Sequence, residues 1–176
     1  MRVGINRRMK AYLDNVIVSG MVRGDLDPVE MNAVQRLYQA SKGANLEIAT
    51  SRESWREQER TRDPAVRAAL EQSRTGVPVV RDDHRLLGYH RQQDPYGGFV
   101  ENPIVTDVID KGLCADLEKA GLKEGDARHR MYAVCNGYDR FVTLDGDFIT
   151  RRSQLEPLCR GLRIVKPSEL VNELSL

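Results

Sequence analysis

The stretch EGDARHRMYAVCNGYDRFVTLDGDF, Glu124 to Phe148, carries a helix, its stop signal and a strand in unbroken succession. Gly125-Asp126 predicts the helix start, Ala127, Met131 and Val134 give it an apolar stripe, and Asn136-Gly137 closes it. The strand RFVTL, Arg140 to Leu144, follows at once. So short a connection packs the helix antiparallel to the strand. Its amino end, with Asp126, then returns to the edge where the strand delivers Asp145 and, beyond Gly146, Asp147. Carboxylates crowded at one edge repel one another unless a cation or hydrogen-bond donors sit among them.

The same grammar runs through the rest of the chain. AYLDNVIV, Ala11 to Val18, is an apolar run interrupted by Asp14 and Asn15, and it predicts a central strand. Asp27-Pro28 is an N-cap with proline at the first helical position, and NLEIAT, Asn45 to Thr50, predicts a second strand. Thr50 and Glu53 have capping-box spacing and open a helix to about Arg62, and Asp63-Pro64 opens the next. Gly76 to Phe99, rich in charge, Gly and Pro, reads as loop with a short strand or helix, an insertion-like segment over about 76–100. Asn102-Pro103 predicts a helix, ADLEKAG (Ala115 to Gly121) another, and SQLEPLCRG (Ser153 to Gly161) a partly helical stretch. LRIV, Leu162 to Val165, is a last strand, and Pro167-Ser168 opens a terminal helix. This alternation predicts one α/β domain over 1–176, a three-layer α/β/α sandwich around a mainly parallel sheet. Function in such sheets sits beyond the carboxyl ends of the strands.

Composition narrows the class. Of 176 residues, 40% are hydrophobic and 30% charged, which describes a folded, water-soluble domain. Lys and Arg number 27 against 26 Asp and Glu, so no global charge advertises nucleic acid or membrane, although a local basic groove is compatible with that balance. The opening MRVGINRRMK lacks the apolar core of a signal peptide, and no apolar run reaches membrane-spanning length. Cys114, Cys135 and Cys159 make neither a CxxC pair nor metal spacing with the histidines, and suit thiols in a reducing cytoplasm.

Four elements thus aim acids at one edge: Asp14, Asp126, Asp145 with Asp147, and Glu53 or Glu57. An oxygen-only, acid-rich cluster suits Mg²⁺ or Mn²⁺, and such ions clamp a phosphodiester for in-line attack by water. The segments YLDN, SRESWRE, DARH and VTLDGDF resemble, in order and rough spacing, the motifs of the PIN-domain nucleases. The T-x-D-x-D-F ending and the D-A-x-H helix opening are the most specific pieces, and the resemblance covers nearly the whole chain. It implies a PIN-like fold and Asp14, Glu57, Asp126 and Asp145 as metal-binding, catalytic acids, with Asn15, Thr143 and Asp147 in support. Glu57 is preferred because it matches the family's spacing and because Glu53 is expected to fold back into the capping box. The activity implied is an Mg²⁺- or Mn²⁺-dependent endoribonuclease. Its expected partners are RNA and, where the protein is the toxin of a toxin–antitoxin pair, an antitoxin protein; a homodimer is compatible with this class, and no membrane is involved. Two departures stand out: Asn15 follows Asp14 directly, as in some bacterial members, and the 76–99 region is longer than in compact ones.

Each residue also has a plain structural explanation. Asp126 could be an N-cap, Asp145 and Asp147 turn residues around Gly146, and Glu57 the partner of Arg60. Arg52, Arg56 and Arg60 suit a solvated face that could also meet phosphates; His129 and Trp55 suit the core. Asp14 is harder to explain away, because an acid within a central strand is costly without a partner. Two rival functions fit parts of the sequence. LDGDF also resembles the Asp-x-Asp loop of haloacid-dehalogenase-type phosphatases, but that loop belongs after the first strand. The other is a PIN-like interaction domain without catalysis, which metal titration would separate.

Overall fold

A computed structural model describes residues 8–80, 85–93, 99–106 and 109–176. A four-stranded, all-parallel sheet forms its centre, in the order β2 (Leu46–Ala49), β1 (Met9–Leu13), β5 (Arg140–Val142) and β6 (Arg163–Val165). Helices α1 (Asn15–Arg23) and α2 (Pro28–Ser41) connect β1 to β2, and α3 (Arg52–Glu59) and α4 (Pro64–Ser73) follow β2. Strands β3 (Arg85–Gln93) and β4 (Phe99–Thr106) pair antiparallel in a separate sheet. Next come α5 (Lys111–Lys119) and α6 (Glu124–Cys135), then α7 (Gly146–Leu155) between β5 and β6, and α8 (Pro167–Glu173). This is the expected three-layer α/β/α architecture.

Side-chain alternation along each strand divides the core into two layers. Tyr12, Phe141 and Ile164 face α5, α6 and α7, packing with Leu117, Met131 and Phe148. Their neighbours Leu13, Val142 and Val165 face the opposite way, toward Ile17, Leu37 and Leu170 of α1, α2 and α8. Both faces of the sheet are therefore covered, as parallel strands require. Within the first layer Arg130 is fully buried, with Nη2 3.2 Å from Cys159 Sγ and the guanidinium 5.0 Å from the Phe141 ring centroid.

Three local expectations are corrected. Ala11 to Val18 is not one strand: β1 stops at Leu13 and α1 begins at Asn15, with Asp14 as its N-cap. Asn102-Pro103 does not open a helix but lies within β4, with Pro103 opposite Tyr89. The helix expected only in part over Ser153 to Gly161 begins at Gly146 as α7, and Glu156–Cys159 is a 3-10 turn. Of the insertion-like segment, 81–84 and 94–98 lie outside the described residues; the rest includes a 3-10 turn and β3.

Candidate functional site

From β1 the chain moves outward to β2 on one side, while β5 and β6 extend the sheet on the other. The direction of winding reverses between β1 and β5, where an open α/β sheet leaves a crevice at its carboxyl edge. Asp14 leaves β1 at that point and Thr143 leaves β5. The buried Thr143 Oγ1 donates to Asp14 Oδ2 at 2.6 Å and accepts from the Asp145 backbone N–H at 3.0 Å. One hydroxyl thus ties the acids of two strands together.

A cavity of about 350 Å³ opens here, and Asp14, Glu57, Asp126 and Asp145 all line it, with Asn15, Gln58 and Arg23. Four acids drawn from across the chain line this one cavity. Asp14 is buried, and its Oδ1 accepts from the Asn15 N–H at 2.7 Å. Asp145 caps α7, accepting from the Asp147 N–H at 2.7 Å. The plain structural role and a site role therefore coexist in that residue. Asp126 is different: Lys123 is the N-cap of α6, and Asp126 stands in its first turn, so capping does not account for it. Asp147 is exposed and does not line the cavity.

The two glutamates of α3 separate clearly. Thr50 and Glu53 form no capping box: Ser51 is the N-cap, no side chain caps the helix, and Thr50 Oγ1 meets Ser54 Oγ at 2.6 Å. Glu53 is instead buried against Arg56 at 3.0 Å and Arg128 at 3.7 Å. Glu57, in the second turn, reaches the cavity, and its Oε1 lies 3.4 Å from Nε2 of the buried His129. That nitrogen has no well-aligned hydrogen bond, so the contact is electrostatic, and an ion pair only when the ring is protonated. Asn15 Oδ1 accepts from Ser19 Oγ at 2.8 Å and Gln58 Nε2 at 3.2 Å, tying α1 to α3 beside Glu57. Trp55 is not core but half-buried, with the Arg74 guanidinium 5.2 Å from its ring centroid.

The charges bear on one another. Burial, then the negative charges of Asp14, Asp145 and Glu57, push the Asp126 carboxyl up to about 6. Burial also raises Asp14, although the charge of His129 and the Thr143 hydroxyl pull it back. Burial alone would raise Glu57 too, but its contact with His129 outweighs that and holds it below the ordinary value. Conversely, burial would lower His129, but Glu57 and Asp14 raise it. The site therefore carries more negative charge than its neighbours neutralise.

Among the described residues, no three His, Cys, Asp or Glu side chains converge closely enough to enclose a metal ion. The four acids border a cavity rather than close on a point. In chemistry the donor set fits Mg²⁺ or Mn²⁺: its acidic donors are all oxygen, and Mg²⁺ keeps several waters while taking one or two carboxylates. Asp14, Glu57, Asp126 and Asp145 are the residues that could hold such a hydrated ion.

Sequence-level reasoning missed the Tyr12 hydroxyl and Ser51, which lie behind His129. Only the three-residue step from Asp126 to His129, which puts them on one helix face, hinted at that side of the site. The fold and site define an α/β domain with an acidic crevice at the winding reversal, an architecture shared by many families. No family model matches the chain, and no curated protein sequence matches it. No helix among the described residues is long and apolar enough to cross a membrane.

Proposed function

We propose that the protein is a metal-dependent ribonuclease of the PIN-domain type, hydrolysing RNA phosphodiesters with water. The observation that carries this reading is the cavity bordered by Asp14, Glu57, Asp126 and Asp145, where burial and, after it, the charges of the other three acids lift Asp126 to about 6. Such repulsion is relieved by a dication, and the fold puts the acids where open α/β sheets bind ligands. Mg²⁺ or Mn²⁺, when bound, supplies a water of lowered pKa and a clamp on the phosphodiester. The chain's own part is to fix its carboxylates: Thr143 holds Asp14 and the backbone before Asp145, while His129 faces Glu57. Arg23 lines the cavity, and Arg60 stands exposed one turn-step from Glu57; both can meet backbone phosphates. A toxin paired with an antitoxin protein is the biological setting this reading favours.

The test is cleavage of mixed single-stranded RNA with Mg²⁺ or Mn²⁺, in chelator, and with Asp14→Asn and Asp145→Asn. Metal-dependent cleavage lost in both variants is expected. Cleavage that persists in excess chelator, or that both variants retain, would overturn the proposal. The spacing of the acids, too open to enclose an ion unaided, favours one alternative: a non-catalytic interaction domain on the same fold. Absence of saturable Mn²⁺ binding together with absence of RNA turnover would select it.

A further inference from the structure

Behind the acidic cavity runs a line of buried polar side chains that its own chemistry does not use. Ser51, Tyr12 and His129 are at most 1% exposed. Tyr12 Oη lies 2.7 Å from Ser51 Oγ and 2.6 Å from His129 Nδ1, and His129 Nε2 lies 3.4 Å from Glu57 Oε1. The three come from β1, the turn into α3, and α6, so no single helix fixes their alignment. The Tyr12 ring is itself locked, stacked on Phe141 at 5.4 Å and edge-on to Tyr138 at 6.0 Å.

We infer that His129 is a positioning residue for Glu57, oriented by Tyr12 and Ser51 so that the carboxylate meets the cavity in one fixed pose. The inference rests on the metal-site reading given above. Two of the three proton arrangements open to these groups supply the donor it needs. If the imidazole is charged, both nitrogens donate, Nδ1 to Tyr12 and Nε2 toward Glu57, while Tyr12 donates to Ser51. If it is neutral and Tyr12 donates to Nδ1, the remaining proton again sits on Nε2. Both patterns place a proton on Nε2, the nitrogen 3.4 Å from Glu57 Oε1; a neutral ring protonated on Nδ1, with Tyr12 donating to Ser51, would instead leave Nε2 bare. A histidine serving only to fill the core would not leave Nε2 facing a carboxylate with no better partner. Partners of this kind, which hold a metal-binding carboxylate from behind, typically alter metal affinity about 10- to 100-fold when removed.

The experiment measures Mn²⁺ affinity by electron paramagnetic resonance of the free ion, and nitrogen-15 shifts of His129 in the metal-free protein. Glutamine reproduces a donor near Nε2, whereas asparagine reproduces only one near Nδ1. His129→Gln keeps a donor toward Glu57 but loses the atom that meets Tyr12, so it is expected to weaken Mn²⁺ binding less than His129→Asn does, with His129→Asn and Tyr12→Phe weakening it about 10- to 100-fold. In a Glu57→Gln background neither should weaken it further. In the metal-free protein the Nε2 resonance should be that of a protonated nitrogen, and should move in Glu57→Gln. Equal affinity of the Asn and Gln variants, or an effect of His129→Asn that survives Glu57→Gln, overturns the inference. So does a bare Nε2, or one indifferent to Glu57. If wild type binds no Mn²⁺, the metal reading fails on its own, and the nitrogen shifts still decide whether His129 holds Glu57.

Discussion

Asp126 is uncapped, half-buried and pressed by three other carboxylates, and its pKa of about 6 makes it a reporter of the site's charge. Its folded value lies above the ordinary 3.8, so folding favours its protonated form. That contribution is complete below about pH 3.8 and is lost as pH rises through about 6. In chelator, Asp126→Asn should therefore melt higher than wild type at pH 7, with the gap closing by pH 4. Discounted for solvent access, the gain is about 1 kcal/mol, or ~2–4 °C in a domain of this size. Melting curves at the two pH values check it; a variant less stable at pH 7 would mean Asp126 has a cationic partner.

The glutamates give a second test at this scale. Glu57→Gln should cut RNA turnover by orders of magnitude with little change in melting temperature. Glu53→Gln should keep turnover but lose ~1–2 kcal/mol, because Arg56 and Arg128 lose their buried counter-charge. Cleavage rate and melting temperature measured side by side separate the two, and an inactive but fully stable Glu53→Gln would reverse the assignment.

Between elements, the decisive contact is Thr143, where the ends of β1 and β5 and the start of α7 meet through one hydroxyl. Thr143→Val keeps the shape and removes both hydrogen bonds. It should cost ~1–3 kcal/mol, the usual range for stranding a buried polar partner, and should weaken Mn²⁺ binding as Asp14 loses its anchor. Denaturant titration and metal titration check the two halves. At this level the sequence was readable where caps and stops are explicit, as at Asp27-Pro28, Asp63-Pro64 and Asn136-Gly137. It misled where side-chain preference and backbone role diverge. Val16, Ile17 and Val18 are β-branched and suggested a strand, yet capping by Asp14 starts a helix there. Asn102-Pro103 looked like a helix start because proline suits a first turn, but a two-stranded ribbon tolerates proline on its open side. Asp145-Gly146 suits a turn as well as a cap, so the sequence places helix only from Ser153 where α7 begins at Gly146.

For the molecule as a whole, the alternation of strands and helices was enough to specify the layers and the edge at which the acids gather. The tertiary partners were not legible, because they join residues far apart in the chain: Thr143 to Asp14, His129 to Tyr12 and Arg128 to Glu53. A metal that binds only the folded state should raise the melting temperature with its logarithm, by ~2.7 kcal/mol of stability at a hundredfold excess over Kd. Mn²⁺ should produce that rise in wild type and not in Asp14→Asn, as read by thermal melts across a metal series. A domain indifferent to Mn²⁺ would argue for the interaction module.

The bond between Thr143 and Asp14 also has a consequence in time. Thr143 is translated 129 residues later than Asp14, and β5 becomes an interior strand only when β6 follows it. A nascent chain still on the ribosome with β5 in the exit tunnel has neither the second wall of the crevice nor the hydroxyl that anchors the first acid. On the ribonuclease reading proposed above, that order of assembly leaves the acidic crevice unfinished beside the ribosomal and messenger RNA that produce it, until β5 and β6 have emerged.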